Sequence, residues 1–180
     1  MKLVILDRDG VINHDSATFI KNPNEWVPIP GSLEAIARLN QHGYRVAVAT
    51  NQSGIARGYF DMATLNAIHD KMHKALAQVG GRVDAIFYCP HSADMHCECR
   101  KPNTGMLEEI SQRFNVSLTQ VPGVGDALRD LQAFVRAGCQ PYLVRTGKGD
   151  ETANHADLPP NTRVVADLAE AVQQILASEP

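Results

Sequence analysis

The stretch KLVILDRDG, residues 2–10, runs from an aliphatic strand pattern straight into two aspartates and a glycine. Lys2 to Asp7 reads as a short strand, and the polar turn Asp7-Arg8-Asp9-Gly10 stands at its end. The arrangement recurs along the chain. Tyr44 to Thr50 (YRVAVAT), Val83 to Cys89 (VDAIFYC), Gln120 to Gly125 (QVPGVG, the weakest) and Pro141 to Arg145 (PYLVR) are further strand candidates. Helical periodicity fills the gaps between them. Leu33, Ile36, Ala37 and Leu39 share a face behind a Ser32 cap and stop at Gly43, while Met62, Leu65, Ile68, Met72 and Leu76 share another between Asp61 and Gly80. Thr104 and Asp167 read as two more caps, the latter in a capping box with Glu170. Strands alternating with helices in this way make βα units, so the expected fold is α/β: a three-layer, Rossmann-like arrangement around a central parallel sheet.

At 180 residues the chain has room for one domain with a substantial core, and residues 1–180 are expected to form it; no repeat, low-complexity tract or linker divides them. With 44% hydrophobic residues, 21% charged residues and a net charge of -3, the composition lacks the basic excess that a phosphate backbone demands. Nucleic acid is therefore not an expected partner. The aliphatic run at the start ends at Leu6, and no stretch approaches the roughly 18 apolar residues of a membrane span, so neither a signal peptide nor a membrane partner is expected. The reading is a cytoplasmic monomer acting on a small molecule. In that reducing compartment, clustered cysteines mean metal more often than disulfide.

Open α/β sheets bind ligands at the carboxyl ends of their strands. Four polar stretches fall there: Asp7-Arg8-Asp9-Gly10, Thr50-Asn51-Gln52-Ser53-Gly54, Arg100-Lys101-Pro102 and Gly125-Asp126. Taken alone, Asp126 is a turn former or cap, TNQSG an ordinary turn and Lys101 a solvated side chain. Taken together and in order, they read as one site. A fifth feature, CPHSADMHCEC (89–99), gathers three of the four cysteines. Its spacing offers Cys89, Cys97, Cys99 and either His91 or His96 to one tetrahedral Zn2+. The loop leads directly into Arg100 and Lys101, so a metal there would fix where the basic pair points. Cys139 has no partner nearby and reads as a core thiol. His69 and His73, four apart on a helix, lack a third ligand and read as surface residues.

DRDGVI (7–12) resembles motif I of the haloacid dehalogenase (HAD) phosphatase superfamily, and Thr50, Lys101 and GDALRD (125–130) stand where its motifs II, III and IV belong. Closer still, TNQSGIARGYF (50–60) followed by the cysteine loop and its RKP is similar to the D-glycero-D-manno-heptose 1,7-bisphosphate 7-phosphatases of the heptose pathway to lipopolysaccharide core. Histidinol-phosphate phosphatases carry a similar zinc loop and are the alternative enzyme. A zinc-stapled binding module without catalysis is the alternative of another class.

The resemblance implies a HAD fold with a zinc-stapled loop and a Mg2+-dependent phosphoric monoester hydrolase. It makes Asp7 the nucleophile that forms an aspartyl-phosphate and Asp9 the acid and base. Mg2+ would be held by Asp7, Asp126 and the backbone carbonyl of Asp9, Thr50 and Lys101 would hold the phosphoryl group, and His91 would be the zinc histidine. Asp130, four residues after Asp126, lies either beside the site or in solvent. Neither Gly10 to Gly31 nor residues 51–100 leave room for a large cap, so loops would recognise a sugar bisphosphate. Asn51, Gln52 and Ser53 are the candidate contacts. Arg100 is the favoured cation for the second phosphate, and Arg57 serves there or is simply solvated. Arg8 could contribute, as could RTGKGDE (145–151), although the latter reads chiefly as a mobile loop.

Overall fold

The computed structural model describes all 180 residues. Strands β1 (Lys2–Leu6), β2 (Tyr44–Asn51), β3 (Ala85–Cys89), β4 (Pro122–Gly125), β5 (Gln140–Val144) and β6 (Arg163–Val165) form one sheet in the order β3-β2-β1-β4-β5-β6, and every pair is parallel. They are joined through helices α1 (Ser32–Gln41), α2 (Met62–Gln78), α3 (Gly105–Phe114), α4 (Leu128–Arg136), α5 (Gly149–Ala153) and α6 (Leu168–Ala177).

Successive side chains of a strand point to opposite faces. Along β1, Val4 and Leu6 enter one core with Ile36 of α1, Ile68 of α2 and Val172 of α6, whereas Leu3 and Ile5 enter the other with Ile110 of α3 and Phe134 of α4. A strand covered on both sides has no solvent face, which is why LVIL is a continuous apolar run. From β1 the chain steps outward to β2 and β3, then returns to place β4 on the other side of β1. The crevice beyond the ends of β1 and β4 is thus a topological switch point, where such sheets bind ligands.

The five strands read from the sequence are all present, with ends displaced by at most two residues. β6 is an addition. It has three residues of which only Val165 is buried, too little for a period, and its ladder is supplied by Tyr142 to Val144 of β5. Asp61 and Asp167 cap α2 and α6, each accepting the backbone N–H three residues on at 2.9 Å. Ser32 does not cap: it lies within α1 and its buried hydroxyl donates to the Val11 carbonyl. Thr104 bonds the Glu108 carboxylate instead of the backbone, and Glu170 accepts from Ala166 N–H, so the expected capping box stays open at the Asp167 amide.

Residues between β1 and α1 hold only a short 3-10 turn, Pro23–Glu25, pinned against α2 by the Lys71 ammonium, which donates to the Pro23 and Trp26 carbonyls. No cap layer covers the strand ends. The stretch expected to be a mobile loop is anchored instead, because Thr146 Oγ1 donates to the Gly10 carbonyl at 2.6 Å and, one residue past the stretch, Thr152 Oγ1 on α5 donates to the Asp126 carbonyl at 2.7 Å. No helix is long and apolar enough to cross a membrane.

Candidate active site and thiol cluster

Asp7 follows β1 and Asp126 follows β4, so the pairing of these two strands sets the two carboxylates side by side. Asp130, on the first turn of α4, completes a buried triad whose carboxylate oxygens lie within 4.8 Å of one another. Its Oδ2 accepts the N–H groups of Asp126 and Ala127 at 3.2 and 3.0 Å and so fixes the turn that presents Asp126. Gly10 and Gly147 press directly on the Asp126 carboxylate, and both have positive φ, so neither position tolerates a Cβ. Lys148 N–H donates to Asp126 Oδ2 at 2.9 Å.

One buried cation pairs directly with two of the three acids. The Lys101 ammonium, 1% exposed, lies 3.1 Å from Asp7 Oδ1 and 2.9 Å from Asp130 Oδ1, and donates to the Ala49 carbonyl at 2.7 Å. Burial opposes its charge, but Asp130 and Asp7 outweigh burial and raise its pKa. The converse holds for the acids. Burial is the largest influence on Asp7 and Asp126, followed by Asp130, and they are pushed up to about 7 and about 9. At Asp130 burial acts in the same direction, yet Lys101 and Arg129 overcome it and hold the pKa down. One lysine for three buried carboxylates leaves negative charge uncompensated, and oxygen donors so arranged suit a hard divalent cation.

Asp9 stands on the other side of the turn, with a side chain 23% exposed to the cleft. Burial raises its pKa, but Arg8, Asn13 and Gln52 outweigh that and lower it. Gln52 donates to Asp9 Oδ2 at 3.2 Å and to Thr50 Oγ1 at 3.0 Å. The Thr50 oxygen is thus an acceptor towards Gln52, and its hydroxyl proton remains free for a ligand. Arg100, Arg129 and Lys148 add positive charge around the same cleft, whose outer wall includes Asp15, Ser16 and Phe19. Burial, and after it the charge of Arg129, lower the Arg100 pKa; both guanidiniums line the cleft and favour an anion there.

The thiol cluster lies beyond β3. Cys89 Sγ is 2.9 Å from Cys99 Sγ and 3.6 Å from Cys97 Sγ, Cys97 and Cys99 are 3.6 Å apart, and His91 Nδ1 is 3.2 Å from Cys99 and 3.5 Å from Cys89. Zinc–sulfur bonds of about 2.3 Å in a tetrahedron set sulfurs about 3.8 Å apart, so the four atoms surround a centre of that size, the Cys89–Cys99 approach being the tightest. No disulfide links them. His96 is exposed at φ 52° and takes no part in the cluster, which leaves His91 as its histidine. At Cys97 burial opposes ionisation, but the donors, Arg100 N–H foremost, prevail and bring the thiol down to about 6. The cluster is tied to the basic pair through Arg100. Its N–H points at Cys97 Sγ at 3.3 Å and its guanidinium donates to the His91 carbonyl at 3.3 Å.

A family model described as polynucleotide kinase 3 phosphatase matches residues 2–141. A Bordetella bronchiseptica protein named D-glycero-beta-D-manno-heptose-1,7-bisphosphate 7-phosphatase is 61% identical over 176 residues, 98% of each chain, and the protein of that name from Pseudomonas putida is 51% identical over 98% of this chain and 100% of its own. The chain belongs to the heptose-1,7-bisphosphate 7-phosphatase family. It belongs equally to the family of the matching model. A crystal structure described as the D,D-heptose 1,7-bisphosphate phosphatase of B. bronchiseptica complexed with magnesium and phosphate superposes with a TM-score of 0.98 at 60% identity, covering 99% of this chain and 100% of that one.

Within this heptose bisphosphate phosphatase fold, the cleft gathers Asp7, Asp9, Thr50, Asn51, Ser53, Arg100, Lys101 and Asp126. Other expected residues are elsewhere. Gln52 is 2% exposed and does not line the cleft, its amide turned to Asp9 and Thr50. Asn51 reaches the cleft, but its carboxamide clamps the Lys101 backbone, accepting from N–H at 3.1 Å and donating to C=O at 3.2 Å. Arg57 is exposed outside the cleft with its guanidinium over the Phe19 ring. Arg8 is wholly buried and faces away, and His69, expected at the surface, is buried against it while His73 alone is exposed. Asp130 is beside the acids and not in solvent. Sequence reasoning missed Arg129, and it reached Lys148 only within RTGKGDE, a stretch it read chiefly as a mobile loop. Arg129 lies inside GDALRD, but only the turn of α4 brings it to the cleft.

Proposed function

We propose that this chain hydrolyses the 7-phosphate of D-glycero-D-manno-heptose 1,7-bisphosphate through an aspartyl-phosphate on Asp7. The observation that carries the reading is the clustering of the Asp7, Asp126 and Asp130 carboxylates, the first and last of them paired with the buried Lys101, beneath an open, cation-rimmed cleft. Asp7 and Asp126, with the Asp9 carbonyl, are the residues to hold Mg2+, for which the crowding of buried carboxylates argues. Bound there, the ion would neutralise the acids and draw charge from the transferring phosphoryl group.

The protein's own residues divide the remaining work. Asp7 Oδ1 accepts from Arg8 N–H at 2.8 Å and faces Lys101, leaving Oδ2 without a protein donor. The Asp7 carboxylate attacks phosphorus, the bond from phosphorus to the sugar oxygen breaks, and Asp9, which must enter this step protonated against the pull of Arg8, Asn13 and Gln52, gives its proton to that oxygen. Asp9 then takes a proton from water as the water attacks phosphorus, and phosphate leaves with the Asp7 carboxylate restored. Thr50 and Lys101 steady the equatorial oxygens. Arg100, joined by Arg129, reads the second phosphate, and Ser53 contacts the sugar. The thiol cluster holds one structural Zn2+ through Cys89, His91, Cys97 and Cys99, and so aims Arg100.

Residues 1–180 act as one domain, a reading supported by the single sheet that spans Lys2 to Val165. The exposed large apolar side chains are scattered along the chain and no two are adjacent in sequence, which supports a monomer, and unpaired cysteines support the cytoplasm. A substrate panel tests the whole reading. With Mg2+, kcat/KM for heptose 1,7-bisphosphate is expected to exceed that for fructose 1,6-bisphosphate and histidinol phosphate. Preference for histidinol phosphate would reassign the substrate, and no phosphate release from any ester would leave only a binding module.

A further inference from the structure

Arg8 belongs to the DRDG turn, yet none of it reaches solvent. Asp7 and Asp9 turn to the cleft, and the residue between them is directed the other way, under the site and towards α2. Its guanidinium finds two partners there. Nε donates to Asp9 Oδ1 at 2.9 Å, and Nη2 lies 2.8 Å from the same oxygen, outside the angle of a hydrogen bond. Nη1 is 3.1 Å from Nε2 of His69 on α2. A guanidinium can only donate, so His69 accepts, and its imidazole is neutral with the proton on Nδ1. Burial and then the Arg8 charge hold the His69 pKa down to about 3, which agrees with that state.

The two oxygens of Asp9 are therefore unequal. Oδ1 takes Arg8 Nε and also Asn13 Nδ2 at 2.9 Å, with the charge of Nη2 beside it. Oδ2 accepts only the neutral Gln52 amide, at 3.2 Å, and keeps a lone pair. The planar guanidinium has a fixed fork, so two acceptors set its orientation: Asp9 at one edge and His69 at the other. We infer that Arg8 and His69 are positioning residues for proton transfer: Arg8, braced by His69, occupies Asp9 Oδ1 and leaves Oδ2 as the oxygen that carries the proton to the leaving group. The inference rests on the reading of Asp9 as acid and base.

The test is the rate of phosphoenzyme formation, by rapid quench, from two esters. Nitrophenyl phosphate releases an anion that needs no proton, whereas the C7 alkyl ester of heptose bisphosphate needs one. His69→Leu and Arg8→Met are expected to slow the heptose ester by about tenfold or more and the nitrophenyl ester by less than about twofold, since a proton donor matters only where one is needed. His69→Gln, whose carboxamide oxygen can accept from Nη1, should recover most of the loss. Equal slowing of both esters would mean a merely structural role and overturn the inference, as would a His69→Gln protein no better than Arg8→Met, a comparison that stands even if His69→Leu does not fold. Asp9→Asn separates the two readings. If it shows no preference for the nitrophenyl ester, Asp9 is not the proton donor and the underlying mechanism fails; if it shows the preference and the Arg8 and His69 variants do not, only this inference fails.

Discussion

The acid triad and the thiol cluster could each hold a cation, and they are assembled in opposite ways. Cys89, His91, Cys97 and Cys99 come from one loop of eleven positions, so local chain geometry brings them together. Asp7, Asp126 and Asp130 come from two strands far apart in sequence and the helix after the second, and only the β1–β4 pairing unites them. The thiol loop lacks a core of its own, since Cys89 is buried while Cys97 and Cys99 merely pack against the sheet's second face. The triad is embedded in a rigid sheet edge. A metal in the first site would contribute folding energy, whereas a metal in the second would be held by a fold that already stands.

The largest expected effect tests the second half of that contrast. Asp7→Asn should lower kcat by about 10^4-fold or more, as loss of a nucleophile does, while leaving Tm in EDTA unchanged or higher because one repelling carboxylate has gone. Near-normal turnover, in protein shown by mass spectrometry to carry no deamidated residue, would sink both the mechanism and the contrast.

Metal removal is next in size. Mild EDTA should stop turnover, added Mg2+ should restore it, and about one zinc per chain should survive the treatment in elemental analysis. Protons compete with Mg2+ for the same oxygens: burial and Asp130 place Asp7 at about 7 and Asp126 at about 9, and protonation blocks a ligand. The Mg2+ concentration for half activity should thus rise as pH falls from about 8 to 6 and fall as pH rises. A requirement independent of pH would show that these carboxylates are not the ligands.

Smaller effects belong to the thiol side. Cys97→Ser should cost about 3 kcal/mol, roughly 6–12 °C in Tm for a chain of this length, together with part of kcat/KM as Arg100 loses its anchor. Unchanged Tm in a zinc-free protein would remove the staple from the account. Arg100→Ala should lower kcat/KM for the bisphosphate by roughly 10–100-fold, the worth of one charged hydrogen-bonded contact, and largely spare an aryl phosphate. Equal losses would move Arg100 from recognition to chemistry or fold.

Five of the six strands, and the polar turns at their ends, were legible in the amino-acid order, because an apolar run such as LVIL and a turn such as DRDG are local properties of the chain. The thiol cluster was legible for the same reason. Sequence reasoning failed where a side chain's surroundings come from elsewhere. β6 is a strand only because β5 offers a ladder, Gln52 leaves the cleft only because Asp9 and Thr50 meet it behind, and Arg8 and His69, 61 positions apart, are buried only because α2 packs under β1. The histidine of the thiol cluster also awaited the fold, since His91 and His96 have the same chemistry and the backbone alone turns His96 outward. Residue type fixes what a side chain can donate or accept, whereas the packing of distant segments decides which partner it meets and whether water can replace that partner.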